Sequence, residues 1–101
     1  ENQDVYQQFR RLLRNNFREI KKVKDYAEKL HISEKKLNEI VSAKTGLSCS
    51  QVIYNQIVLE AKRLLRTNIS TKETAYALHF DDPAHFSKFF KNQTGIPPSK
   101  F

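Results

Sequence analysis

Apolar residues recur at helical spacing along almost the whole chain, and no stretch alternates as a half-buried strand would. Val5, Phe9, Leu12, Leu13 and Phe17 form a first stripe, with Arg10, Arg11 and Arg14 outside it. A shorter stripe through Val23, Tyr26, Ala27 and Leu30 predicts a helix from about Val23 to Leu30. Leu37, Ile40 and Val41 mark the inward face of a helix from about Glu34 to Thr45, with Ser33 as its N-cap and Gly46 as its stop. The longest pattern, "SCSQVIYNQIVLEAKRLLRTN" (48–68), is one amphipathic helix opened by a Ser48/Gln51 capping box. It carries Val52, Ile53, Ile57, Ala61, Leu64 and Leu65 on one side. "STKE" (70–73) is a further capping box, after which Ala75 and Leu78 face inward. Asp82 and Pro83 then open a last helix as N-cap and first residue, and Phe86, Phe89 and Phe90 make its inward face. The expected fold is all-α, with about six or seven helices.

The chain repeats itself. "KDYAEKLHIS" (24–33) resembles "KETAYALHFD" (72–81), so that Ala27, Leu30 and His31 recur as Ala75, Leu78 and His79 at a constant offset. "AKTGLSCS" (43–50) resembles "NQTGIPPS" (92–99) at an offset one residue longer. Each copy reads as a short helix, a turn, a longer helix and a glycine stop, which is the helix-turn-helix pattern. That pattern needs a small residue where the second helix crosses the first, here Ala27 and Ala75. It also needs a turn residue tolerant of positive φ, here His31 and His79, where glycine is easier. The expected layout is a first helix-turn-helix at 22–46, a linker helix at 48–68 and a second helix-turn-helix at 70–95.

Charge then points to a partner. Lys and Arg number 18 against 11 acids, a formal net charge of +7, which favours a polyanion and above all nucleic acid. A length of 101 residues suits one domain, and 39% hydrophobic residues suffice for one modest core. Two glycines and three prolines argue against a hairpin-rich fold. The single cysteine, Cys49, has no internal disulfide partner and fits a reducing compartment. No apolar run approaches membrane-spanning length and no signal peptide is seen. The chain begins at Glu1 rather than Met and is expected to be a piece of a longer protein with a missing partner domain.

The second half carries a family resemblance. "AYALHFDDPAHFSKFFKNQTGIPPSKF" (75–101) resembles the closing signature of the AraC/XylS transcription regulators, and "EAKRLL" (60–65) resembles the end of their linker helix. The resemblance covers about residues 5 to 101. It implies the DNA-binding domain of a bacterial regulator that acts at promoters with RNA polymerase. It also implies a separate N-terminal sensor or dimerisation domain, a cytoplasmic, nucleoid-associated location, no membrane partner, no cofactor and no enzymatic activity. Two recognition helices should enter successive major grooves, about 34 Å apart, and a linker of about 17 residues spans roughly 25 Å. Four positions depart from the family: His31 and His79 stand where glycine is frequent, Lys88 replaces an arginine, and Pro97 replaces a threonine.

The family's base-reading positions fall on Lys35, Asn38 and Glu39 in the first unit and on Ala84, His85 and Lys88 in the second. Lysine can donate to guanine, asparagine can pair with adenine, a carboxylate can accept from cytosine, and alanine can touch a thymine methyl. Candidate phosphate contacts are Ser33, Lys36, Lys44, Thr45, Ser70, Lys72, Lys91, Asn92 and Thr94, which would position the protein without reading sequence.

Two other readings compete with DNA binding. His79, Asp81, Asp82 and His85 could form a metal or hydrolytic site, but the two histidines are six apart across a turn, and Asp82 and Pro83 already serve as cap and first turn. Cys49 lacks a recognisable base, so nucleophilic catalysis is not expected. The other rival is a basic helical module that binds proteins or membranes through "FRRLLRNNFREIKK", although such a stripe is more often core.

Overall fold

The computed structural model describes residues 2–101. Six α-helices follow in order: α1 (Asn2–Asn16), α2 (Val23–Lys29), α3 (Glu34–Thr45), α4 (Cys49–Leu65), α5 (Thr71–Ala77) and α6 (Pro83–Thr94). A 3₁₀ turn, Pro98–Lys100, closes the chain, and no strand occurs among the described residues. The chain divides within α4 into two compact units, the first ending at Gln56 and the second running Ile57–Phe101, and each contains one helix-turn-helix.

In the first unit α1, α2 and α3 pack on one another. Phe9 and Leu13 of α1, Tyr26 and Ala27 of α2, Leu37, Ile40 and Val41 of α3, and Cys49, Val52 and Ile53 are buried. Phe9 meets Tyr26 edge to face at 5.6 Å, an arrangement that matches the positive ring edge to the negative face. The Tyr26 hydroxyl donates to the Ile20 carbonyl at 2.7 Å, so the one polar atom of this buried ring is satisfied. Burial and the neighbouring Glu19 raise the Tyr26 pKa. The basic first helix therefore turns its apolar stripe into the core. It ends at Asn16, leaving the half-buried Phe17 in the turn that follows.

In the second unit α5 packs on α6, and α6 on the closing 3₁₀ turn. The core holds Ile57, Ala61, Ala75, Leu78, Phe80, Phe86, Phe90 and the fully buried Thr74. Thr74 is satisfied because its hydroxyl donates to the Ser70 carbonyl. Phe80 anchors an aromatic cluster with Phe86 at 5.3 Å and Phe89 at 5.4 Å, and Phe86 meets Phe90 at 5.8 Å. Phe101 extends this cluster from Phe90, and the Arg66 guanidinium lies 5.1 Å from its ring centre. That cation–π contact ties the end of the chain to the residue just beyond α4.

The two helix-turn-helix turns have the same geometry. His31 N–H donates to the Glu28 carbonyl and Ile32 N–H to that of Ala27; His79 N–H donates to Tyr76 and Phe80 N–H to Ala75. This is the Schellman stop, which requires a left-handed residue at its hinge. Histidine supplies it in both copies, with φ 58° at His31 and φ 60° at His79. Histidine enters this region more readily than most side chains, still at some strain. Since a non-glycine residue there costs about 1–2 kcal/mol, His79→Gly is expected to be more stable than His79→Ala by about 1 kcal/mol, checked by paired chemical denaturation. Equal stabilities for the two variants would remove the strain at this turn.

Local capping sets the other boundaries. Ser33 accepts from Lys36 N–H, Asp82 from His85 N–H, and Ser70 and Glu73 form a reciprocal capping box. Gly46 and Gly95 end α3 and α6 at φ 75° and 87°. Ser48 accepts from Gln51 N–H at the start of α4, while the Gln51 amide donates onward to Asn55. The linker helix is shorter than 48–68: it stops at Leu65, and Asn68 takes φ 69° in the turn beyond it. Glu73 accepts the Ser70 N–H, and this bond, followed by contact with the Ser70 side chain, lowers its pKa. A depressed carboxyl pKa contributes stability that is present above the unfolded value and lost as pH falls through the folded one. The Ser70 amide is therefore expected to lose its hydrogen bond, followed by its NMR shift, only below the ordinary glutamate range. A midpoint at or above the ordinary value would contradict the box.

Candidate nucleic-acid interface

In each unit the second helix of the turn motif presents its outer face to solvent, because the inward face is spent on the core. On α3, Leu37, Ile40 and Val41 are buried, and Glu34, Lys35, Lys36, Asn38 and Glu39 are exposed. On α6, Phe86 and Phe90 are buried and Phe89 is half-buried, while Ala84, His85, Lys88, Lys91 and Asn92 are exposed. All six expected base readers thus lie on outer helix faces, three per unit. The faces differ in charge. Lys88 and Lys91 dominate α6, whereas on α3 Glu34 and Glu39 stand beside Lys35 and Lys36.

Two of these side chains are held by their neighbours. The His85 ring packs edge-on against Phe80 at 5.2 Å, and its backbone N–H is taken by the Asp82 cap at 2.8 Å. The Asn38 Oδ1 accepts the Cys49 N–H at 2.9 Å, which links α3 to the first residue of α4. No sequence signal marks this contact, since the partners lie on different helices.

The candidate phosphate contacts divide in two. Ser33, Lys36, Lys44, Ser70, Lys72, Lys91 and Asn92 are exposed. Thr45 and Thr94 are half-buried, and their hydroxyls also bond the backbone. The Thr45 hydroxyl donates to the Val41 carbonyl at 2.8 Å and accepts the Leu47 N–H at 3.1 Å. Thr94 likewise donates to the Phe90 carbonyl and accepts the Ile96 N–H. In both copies the threonine before the glycine spends its single hydroxyl proton on closing the helix.

The stretch "HFDDPAHF" resolves into local structure: His79 is the turn hinge, Asp82 the cap, Pro83 the first helical residue and His85 a partner of Phe80. Among the described residues no group of three or more His, Cys, Asp or Glu converges as a metal site would. Burial pushes the Cys49 thiol up to about 12, so at neutral pH it is a thiol and not a nucleophilic thiolate. Among the described residues no helix is long and apolar enough to cross a membrane.

A family model described as a helix-turn-helix domain, of the AraC type, matches residues 26–101. The chain belongs to the AraC-type helix-turn-helix family. Within it, the Msm operon regulatory protein of Streptococcus mutans is 32% identical over 95 residues, which is 93% of this chain and 34% of that protein. The chain spans between 28% and 34% of the length of the curated relatives it matches. The C-terminal domain of the two-component response regulator yesN from Fusobacterium nucleatum has the same fold, with a TM-score of 0.84 at 20% identity and 96% of each chain covered. The DNA-binding domain of the global transcriptional factor AdpA, solved in complex with a target DNA, superposes with a TM-score of 0.76 at 26% identity, covering 98% of this chain and 86% of that one. The AraC-type assignment accounts for the duplicated Ala-x-x-Leu-His turns and for the outward polar sets on α3 and α6.

Proposed function

We propose that this AraC-type domain binds double-stranded DNA sequence-specifically, each unit offering its recognition helix, α3 or α6, to a major groove of the same duplex. The observation that carries this reading is the match, over nearly the whole chain, to a DNA-binding domain solved on its target DNA. The net charge of +7 supports it, as does the exposure of all six candidate readers: Lys35, Asn38 and Glu39 on α3, and Ala84, His85 and Lys88 on α6. In this reading the lysines donate to guanine, Ala84 touches a thymine methyl, and Glu39 accepts from cytosine. Lys36, Lys44, Lys72, Lys91, Asn92 and the capped helix starts at Ser33 and Ser70 face phosphates. The intact protein would act in the cytoplasm, at the nucleoid, with RNA polymerase and an N-terminal sensor or dimerisation domain as partners. Burial of Phe9 and Leu13 weighs against a membrane-binding role for α1, because its apolar stripe is already used.

Competition between specific and random duplexes across a salt series tests this reading. A domain neutralising about six phosphates loses roughly a thousandfold in affinity between about 50 and about 200 mM salt. The expected result is that steep fall together with a preference for one duplex. Equal binding to every duplex and to anionic lipid vesicles would favour the basic-module reading instead.

A further inference from the structure

The Asn38 amide is bonded on one side only in this structure, and we infer that it therefore reads a base acceptor as a pure donor and not adenine through both amide atoms. The inference rests on the DNA-binding reading above and deepens it at one residue. Asn38 lies on the exposed face of α3, yet its Oδ1 accepts the backbone N–H of Cys49 at 2.9 Å. Cys49 is fully buried and opens α4. A backbone N–H can only donate, so the amide atom facing it must be the oxygen, and the orientation of the side chain follows from chemistry alone. The bond fills one of the four donors that every helix leaves open at its N-terminus, and Ser48 takes a second from Gln51.

This placement has a consequence for recognition. Pairing with adenine needs the amide oxygen to accept from N6 while the nitrogen donates to N7. Here one of the oxygen's two lone pairs is taken by the buried amide of Cys49, which turns Oδ1 toward the start of α4 and leaves Nδ2 as the amide atom with no bond to the protein. A donor alone favours guanine, which shows two acceptors in the major groove, or thymine, which shows one at O4. Adenine, with an amine beside its single acceptor, loses the advantage a free asparagine would give it. The same bond couples reader to scaffold, because α3 cannot rotate about its axis without breaking the cap of α4.

The test compares wild type, Asn38→Asp and Asn38→Ala in selection from a random duplex library, with amide hydrogen exchange at Cys49 measured on the free proteins. The carboxylate of Asn38→Asp keeps the acceptor and removes the donor. Its Cys49 exchange should stay within about twofold of wild type, while Asn38→Ala should accelerate it about tenfold, the size of effect expected for a lost cap. The site position whose preference changes between the proteins is the one Asn38 reads. Wild type should select guanine or thymine there, and Asn38→Asp should shift toward cytosine, whose N4 donates. Selection of adenine by wild type at that position, or no change of preference in either variant, would overturn the inference. So would unaltered Cys49 exchange in Asn38→Ala. If wild type selects no sequence at all, the DNA-binding reading has failed and the specificity claim falls with it, a result recognisable because the exchange data still report the cap.

Discussion

Replacing Phe86 by alanine is expected to destabilise the protein by about 3–5 kcal/mol, the range for an aromatic ring removed from a packed core. Phe86 is fully buried and touches both Phe80 and Phe90. It thus joins the residue after the turn hinge to the recognition helix itself. The effect exceeds simple area loss because the neighbouring rings are held at tilted geometries that a cavity would release. In a chain of this size each kilocalorie shifts the melting temperature by about 4–8 °C, so the variant should melt more than about 12 °C lower by far-ultraviolet circular dichroism. Amide exchange should rise most in α5 and α6. A loss below about 1 kcal/mol would mean that the aromatic cluster is not the core of the second unit.

The second large effect concerns binding. Lys88→Ala should weaken the cognate duplex by about 1–3 kcal/mol and relax preference at one position, as loss of a base contact does. Lys88 is exposed and lies about one and a half turns from the capped start of α6, on the face opposite Phe86 and Phe90. Lys91→Ala is the matched control. It should weaken all duplexes alike and reduce the salt slope by about one, the behaviour of a phosphate contact. Equal and non-selective losses for both lysines would show that α6 positions the protein without reading sequence.

These predictions come from positions whose roles were legible in the sequence to different degrees. Ser70 with Glu73, Asp82 with Pro83, and the two glycine stops were readable because capping is local: donor and acceptor lie within four residues of each other. The duplicated histidines were readable as left-handed hinges for a similar reason, since the repeat set them at the same place in two copies, and the structure gives both a positive φ. The end of α4 was not readable. Its apolar pattern runs to Leu65 and polar residues follow, so nothing distinguished helix from turn until Asn68 took its left-handed φ. Thr45 and Thr94 read as candidate phosphate contacts, and the sequence did not show that their hydroxyls donate backward to a carbonyl one turn away and accept an N–H from across the glycine. The bond from Cys49 to Asn38 and the contact of Arg66 with Phe101 join residues far apart in the chain. Such contacts depend on how helices pack, which periodicity does not encode. The outer faces of α3 and α6 were legible for the converse reason: once the core positions are assigned, the remaining positions must face outward.

Selection of bound sequences by the wild-type domain from a random duplex library tests most directly whether two recognition helices on one chain read duplex DNA. The predicted result is a bipartite, non-palindromic site whose two halves lie about 10 base pairs apart, one helical turn from centre to centre. A single short half-site, or no enrichment above random sequence, would contradict it.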